Sequence, residues 1–279
     1  MTTTTTRKGA RRMSEIPPEI RDAIDTGRLA TVDLVEFLAA DLNRLTLAVA
    51  TQIGLDAAHP ALLAAVDRLP TLKPMQRHGV IARALWHAGC CAQPALQGRL
   101  ASHCSDLARQ WAGLQVGFDH LSLAERLQCI RPFAADPHFG VREFAWMAVR
   151  DAVAAELDLA LELLAPWVKA EDPNLRRFAS ELTRPRGVWC VHLETLKLDP
   201  TPGLQLIESL RADPSRYVQN SVGNWLNDAA KSQPEIIISI CARWQNEPPN
   251  RATDYICQRG LRTLAKGANN KLAARSTAA

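Results

Sequence analysis

Ala135-Asp136-Pro137, Glu171-Asp172-Pro173 and Ala212-Asp213-Pro214 recur through the middle of the chain, and each leads into an apolar helical run: Val141-Arg142-Glu143, Leu175-Arg176-Arg177 and Val218-Gln219-Asn220. The Asp-Pro pairs begin at 136, 172 and 213, so they lie 36 and then 41 residues apart. A period of that length marks a solenoid of two-helix repeats of the HEAT kind. Asp can cap the second helix of each repeat, and Pro suits the first helical position, where its missing N–H costs nothing. The fold class this predicts is all-α: a superhelical solenoid of HEAT-like helix pairs with a concave basic groove.

Acids fall in phase on these helices. Counted from the apolar anchors Val141, Leu175 and Val218, Glu143 stands at +2, Glu181 at +6 and Asp228 at +10. Steps of four keep three such positions within an arc of about 80° on equivalent helices. Equivalent faces of a solenoid line up along one wall. The expectation is therefore a row of three carboxylates, each one turn further along its helix. Ordinary solvated acids are the alternative.

Composition sets the frame. The 279 residues suffice for one solenoid or two small domains, and 47% apolar with 22% charged residues is normal for a globular chain. Seven Trp against two Tyr is an unusual bias. A net charge of +4 is too mild to imply a polyanion partner by itself. Seven Cys with no secretory h-region point to free thiols in a reducing cytoplasm. No apolar run approaches the roughly 18 residues of a spanning helix, so no membrane partner is expected.

Along the chain, residues 1–15 read as a flexible basic arm carrying Arg7, Lys8, Arg11 and Arg12, either a solubilising tail or a polybasic contact for phosphates. Ile16-Pro17-Pro18-Glu19 opens the solenoid, taken as 16–266, and its first helix stops near Gly27. Leu34, Phe37, Leu38, Leu42 and Leu45 predict one helix capped within Thr31–Asp33. Residues 61–69, 75–90, 94–111 and 121–133 read as four more, the last preceded by Gly117 and Asp119. Helices follow over 156–169, 175–183, 204–211, 214–231, 234–244 and 251–266. Arg184-Pro185-Arg186-Gly187 breaks a helix, and 188–202 is long for a simple turn. Residues 267–279 read as a disordered tail. No period-2 strand or hairpin signal occurs.

Motifs exclude much chemistry. His87, Cys90, Cys91, His103 and Cys104 do not match a zinc spacing, and neither metal nor cofactor is expected. Nucleophile-elbow, P-loop, dinucleotide and metalloprotease motifs are missing. What remains is carboxylates, Arg and Trp together. Arg142, Arg150, Arg176, Arg177, Arg184 and Arg186 crowd Glu143 and Glu181; some must pair with those acids, and the excess suits a phosphate backbone. Trp146 and Trp225 are expected in the core. Trp189, after a helix break, is expected exposed, offering a π face to a base or a cation. Carboxylates aimed at a nucleotide suit hydrolysis of an N-glycosidic bond, which breaks through an oxocarbenium-like sugar. A base already cationic is a good leaving group.

With these residues in hand, the chain resembles the AlkC group of DNA alkylation-repair proteins, HEAT-like-repeat DNA glycosylases related to AlkD. The likeness rests on Lys8-Gly9-Ala10-Arg11-Arg12 with Ile16-Pro17-Pro18-Glu19, on Val141-Arg142-Glu143-Phe144-Ala145, and on Arg176-Arg177-Phe178-Ala179-Ser180-Glu181 with Arg184-Pro185-Arg186 and Trp189. Tyr217-Val218, Ser221-Val222 and Leu226-Asn227-Asp228-Ala229-Ala230-Lys231 complete it. It covers nearly the whole chain and is densest over 138–234. The resemblance implies excision of cationic N-methylated bases such as 3-methyladenine, 3-methylcytosine or 1-methyladenine from double-stranded DNA, without full base flipping. It implies that Glu143, Glu181 and Asp228 are the active-site acids, with Trp189 beside the lesion and Arg177 near the site. Arg142, Arg184, Arg186, Lys8, Arg11 and Arg12 are the further DNA-binding candidates. Some members carry a C-terminal immunoglobulin-like domain, for which this sequence shows no strand pattern. The expected protein is a cytoplasmic monomer. A non-catalytic DNA-binding solenoid and a protein-interaction scaffold are the competing readings.

Overall fold

The computed structural model describes residues 7–118 and 120–276, with side chains through Lys266. Asp119 and the outer parts of the expected arm and tail, 1–6 and 277–279, lie outside the described residues. Among the described residues every regular element is helical and no strand occurs. The α-helices are α1 Pro18–Asp25, α2 Leu34–Ala39, α3 Leu42–Ile53, α4 Pro60–Arg68, α5 Pro74–Leu85, α6 Pro94–Ala101, α7 Asp106–Gln115 and α8 Leu123–Ala134. They continue as α9 Phe139–Ala155, α10 Leu157–Leu164, α11 Pro173–Leu182, α12 Glu194–Leu198, α13 Thr201–Ser209, α14 Arg216–Ala230, α15 Pro234–Gln245 and α16 Arg251–Ser276.

The chain forms two compact units. The first runs to His120 and takes in Pro137–Ala148; the second comprises Leu121–Asp136 and everything from Val149. In the first unit Leu45, Leu62, Ile81, Leu107 and Trp111 are fully buried. One of its buried acids, Asp106, is satisfied by Thr31 N at 2.8 Å, Thr31 Oγ1 at 2.9 Å and Gln110 Nε2 at 3.1 Å. That contact ties the loop before α2 to the start of α7, as a buried carboxylate requires.

Several expected boundaries move. The single helix expected over Leu34–Leu45 is two, because Ala40 leaves the helical region and Asp41 accepts from Asn43 N and Arg44 N, starting α3 afresh. The helix expected over 94–111 also divides, into α6 and α7, at Ser102–Ser105. One residue of the expected flexible arm, Arg7, is anchored. Arg7 ion-pairs with the buried Glu36 and donates to Ala30 O at 3.2 Å. The last helix continues to Ser276, past the Lys266 at which periodicity ends it.

In the second unit the repeat pattern has a physical basis. Asp172 caps α11 through Asn174 N at 2.8 Å, with Pro173 in its first turn. Asp213 likewise accepts from Ser215 N at 2.8 Å, but α14 starts only at Arg216, with Ser215 before it. Arg176 reaches from one repeat to the next: its Nε and Nη2 meet Asp213 at 2.6 and 3.1 Å, while Nη1 donates to Ala170 O and Glu171 O. Bidentate pairing of this kind is the strong form of ion pair. Asp213 is 6% exposed, and removing one partner of a buried pair costs about 3 kcal/mol. Asp213→Ala is therefore expected to lower the unfolding free energy by that amount, read as a lower urea midpoint at unchanged m-value; a loss under about 0.5 kcal/mol would place the inter-repeat staple elsewhere.

Candidate active site

Glu181 lies in the last turn of α11 and Asp228 in the last turns of α14, and α11 packs directly on α14. Both acids are buried, at 2% and 4% exposed. One side chain joins them. α11 stops at Leu182, so the chain turns at Thr183 and Arg184 folds back over both carboxylates. Arg184 Nη1 donates to Glu181 Oε2 at 3.0 Å, and its Nε and Nη2 donate to Asp228 Oδ2 at 2.9 and 2.7 Å. Lys231, one turn beyond Asp228 on the same face, holds Oδ1 at 3.1 Å.

Arg177 Nη1 stands 3.1 Å from Glu181 Oε1, but no donor points at that oxygen, which is buried without a hydrogen bond. The Arg177 guanidinium also lies over the Tyr217 ring, 4.1 Å from its centre. Burial pushes the Glu181 carboxyl up, but Arg177 and Arg184 outweigh it and hold the group below the usual carboxylate range. Burial likewise lowers Arg184, and the two acids more than restore it, so its pKa is raised. A cluster of ionised groups held this way suits electrostatic work on a developing charge.

Beside the acids the chain leaves helix. Leu193 N donates to Pro185 O at 3.0 Å and closes the loop between them. Arg150, fully buried on α9, donates to three carbonyls at the foot of this loop: Leu182 O, Arg184 O and Val191 O. Burial lowers the Arg150 guanidinium to about 10. Arg186 secures the near side, with Nη2 on Ser232 Oγ at 2.7 Å and Nε on Asp228 O at 3.3 Å. At the tip Trp189 is 77% exposed with φ +66, a left-handed conformation that a bulky residue rarely adopts. Trp146 and Trp225 are core residues, at 5% and 0% exposed, as the sequence suggests.

The other expected site residues fall into place as follows. Glu143 belongs to the first unit, on α9, where its Oε2 accepts from Trp146 Nε1 at 3.1 Å. Arg142 donates to Pro137 O at 2.9 Å. Lys8, Arg11 and Arg12 are exposed, and Arg12 lies 3.9 Å from Glu15. Arg177, Arg184 and Arg186, expected to meet DNA, also donate to or lie against acids, a ring and a backbone carbonyl. Arg150 was not singled out as a site residue; the available signal was a lone Arg inside the apolar run Trp146–Ala155. Among the described residues no group of three His, Cys, Asp or Glu side chains could hold a metal, and no helix is long and apolar enough to cross a membrane.

Comparison with known proteins gives this geometry a context. Residues 131–255, the segment that carries Glu181, Arg184 and Asp228, match the family model of the DNA alkylation repair enzymes. The Bacillus subtilis (strain 168) protein "Uncharacterized protein YhaZ" is 32% identical over 148 residues, 53% of this chain and 40% of the relative. The fold superposes on Pseudomonas fluorescens alkylpurine DNA glycosylase AlkC bound to DNA containing an abasic site analog, with a TM-score of 0.62 and 26% identity over 80% of this chain and 62% of that one. The chain thus spans less than two thirds of either protein. AlkD2 from Streptococcus mutans shares the fold, with a TM-score of 0.56 and 20% identity over 72% of this chain and 97% of that one.

The loop's anchorage is open to direct test. Arg150→Met removes three carbonyl contacts while keeping an apolar stem, and is expected to raise tryptic cleavage after Arg186 at least about tenfold by populating the open loop. Circular dichroism at the same temperature checks that the helices persist. Unchanged cleavage in a folded variant would show that Arg150 does not hold the loop.

Proposed function

We propose that the chain is a monofunctional DNA glycosylase that hydrolyses the N-glycosidic bond of cationic N-methylated bases, namely 3-methyladenine, 3-methylcytosine or 1-methyladenine, in duplex DNA. The observation that carries this reading is the joining of Glu181 and Asp228 through Arg184 inside the segment matched to the DNA alkylation repair enzymes. The likeness to a glycosylase bound to an abasic-site analog, the form DNA takes after base loss, supports the same chemistry. The enzyme would act as a cytoplasmic monomer on alkylated DNA.

The roles follow from the geometry. Asp228 is the acid assigned to address a ligand, because its Oδ1 accepts from Lys231, whose side chain is 39% exposed. Glu181 stays ionised and holds Arg184 in place. Glu143, on α9 of the first unit, is proposed as a further acid of the reaction. Trp189 offers its ring to the cationic base. As the C1′–N bond breaks, its electron pair goes to the base, which leaves neutral. Positive charge develops on the sugar, and Asp228 stabilises it. Water then adds to C1′ and gives up a proton, leaving an abasic sugar.

A non-catalytic DNA-binding solenoid is favoured by one observation: both carboxylates already have cationic partners, as a purely structural network would. Base release separates the two readings. Asp228→Asn keeps the shape of the site and is expected to slow single-turnover release of 3-methyladenine from a defined duplex by about 100-fold or more, with duplex binding retained. Wild-type rates in that variant would remove Asp228 from the chemistry, and no release by the wild type from any of the three lesions would leave the non-catalytic reading.

A further inference from the structure

Cations on α14 and α16 are arranged unlike those around Glu181. α16 lies tightly against α14 because two glycines permit it. A Cβ on Gly223 would meet the Arg259 stem at 2.8 Å, and one on Gly260 would meet Leu226 Cβ at 2.8 Å. This approach brings Arg259 and Arg262 down on the amide side chains of α14. Arg259 Nε donates to Asn224 Oδ1 at 3.1 Å and to Asn220 O at 3.2 Å. Arg262 Nη2 donates to the same Asn224 Oδ1 at 3.1 Å, and its Nη1 to Gly223 O at 3.4 Å. Arg216 lies flat over the Tyr255 ring, 3.7 Å from its centre, and the Tyr255 hydroxyl donates to Asn220 Oδ1 at 2.6 Å.

Three guanidiniums are thus fixed by neutral oxygens and a ring. Among the described residues none of the three has a carboxylate within ion-pair distance. Arg259 and Arg262 converge on one amide oxygen, so like charges are held together with no counter-ion. That arrangement is unfavourable alone and becomes favourable when an anion completes it. Asp228 is the acid whose charge reaches Arg262, and it is already held by Arg184 and Lys231. Burial first, and the charge of Arg259 second, push the Arg262 guanidinium down. Each arginine keeps N–H groups that these contacts do not use.

We infer that Arg259 and Arg262, with Arg216 beside them, form a site for a backbone phosphate of double-stranded nucleic acid on the α14–α16 face. A phosphodiester supplies the missing charge and two acceptor oxygens for the paired forks. The ligand class rests on the glycosylase reading, which supplies duplex DNA as partner. The amide and ring partners hold the guanidiniums in place before any ligand arrives.

Binding of an undamaged duplex, measured across a salt series by fluorescence anisotropy, tests the site without calling on base release. Each phosphate contact adds about 0.9 to the slope of log affinity against log salt. Arg259→Gln and Arg262→Gln are each expected to lower that slope by about one and to weaken binding, while Arg262→Lys, which keeps the charge, holds the wild-type slope. Folded Gln variants with wild-type slopes would overturn the site, whatever base release does. If Arg262→Gln unfolds, Arg259→Gln and Arg262→Lys together decide the outcome. Failure of base release alone would strike the glycosylase reading and leave these slopes as they are.

Discussion

Arg184 binds two buried carboxylates from successive repeats, and the local architecture of the second unit depends on that contact. Without the guanidinium, Glu181 and Asp228 would be two anions sharing little-hydrated space, and at least one would be driven to protonate. The pairing also constrains backbone. α11 has to end at Leu182 for Arg184 to turn back, and Pro185 keeps the helix from continuing. Trp225 Nε1 then takes up the freed Thr183 carbonyl at 2.8 Å, so the helix end is satisfied from α14. Ser180 and Ser221 meet at 2.9 Å one turn away and fix the register of the two helices.

From this junction two features extend. On one side the closed loop carries Trp189, fixed at its foot by a buried arginine that does no other visible work. Exposing a large aromatic ring in a left-handed backbone costs stability, and such cost is commonly tolerated where a ligand is met. On the other side α16 lies against α14 over two glycines and brings uncompensated positive charge near Asp228. Acids, ring and free cations therefore belong to neighbouring parts of one unit, built on α11, α14 and α16.

The repeats were legible because Asp-Pro marks the same local event each time, a chain leaving a turn and entering a helix. Asp172 caps its helix as that rule expects, whereas α14 begins only after Ser215, and Asp213 is paired with Arg176 from the preceding repeat. The phase of Glu181 and Asp228 was legible from helical periodicity. Exposure of Trp189 could be read from the Arg-Pro-Arg-Gly break before it. Partners of the arginines could not be read, because a long flexible cation chooses among acids that only tertiary packing brings near. Breaks at Ala40 and Ser102–Ser105 were hidden for a related reason: no Gly or Pro marks them, and the decisive groups are the Asp41 cap and the buried Asp106. The docking of Arg7 was invisible too, since its anchor, Glu36, looks like a surface acid in sequence.

A double-mutant cycle between Arg184 and Asp228 tests most directly whether the shared guanidinium serves the acid. Single-turnover base release would be measured for Arg184→Gln, Asp228→Asn and the double variant. If Arg184 acts through Asp228, the double variant is no slower than Asp228→Asn alone, because the second change removes nothing further. Losses that multiply, giving a rate near the product of the two single effects, would show that Arg184 meets the DNA independently and that the joined acids are not the working unit.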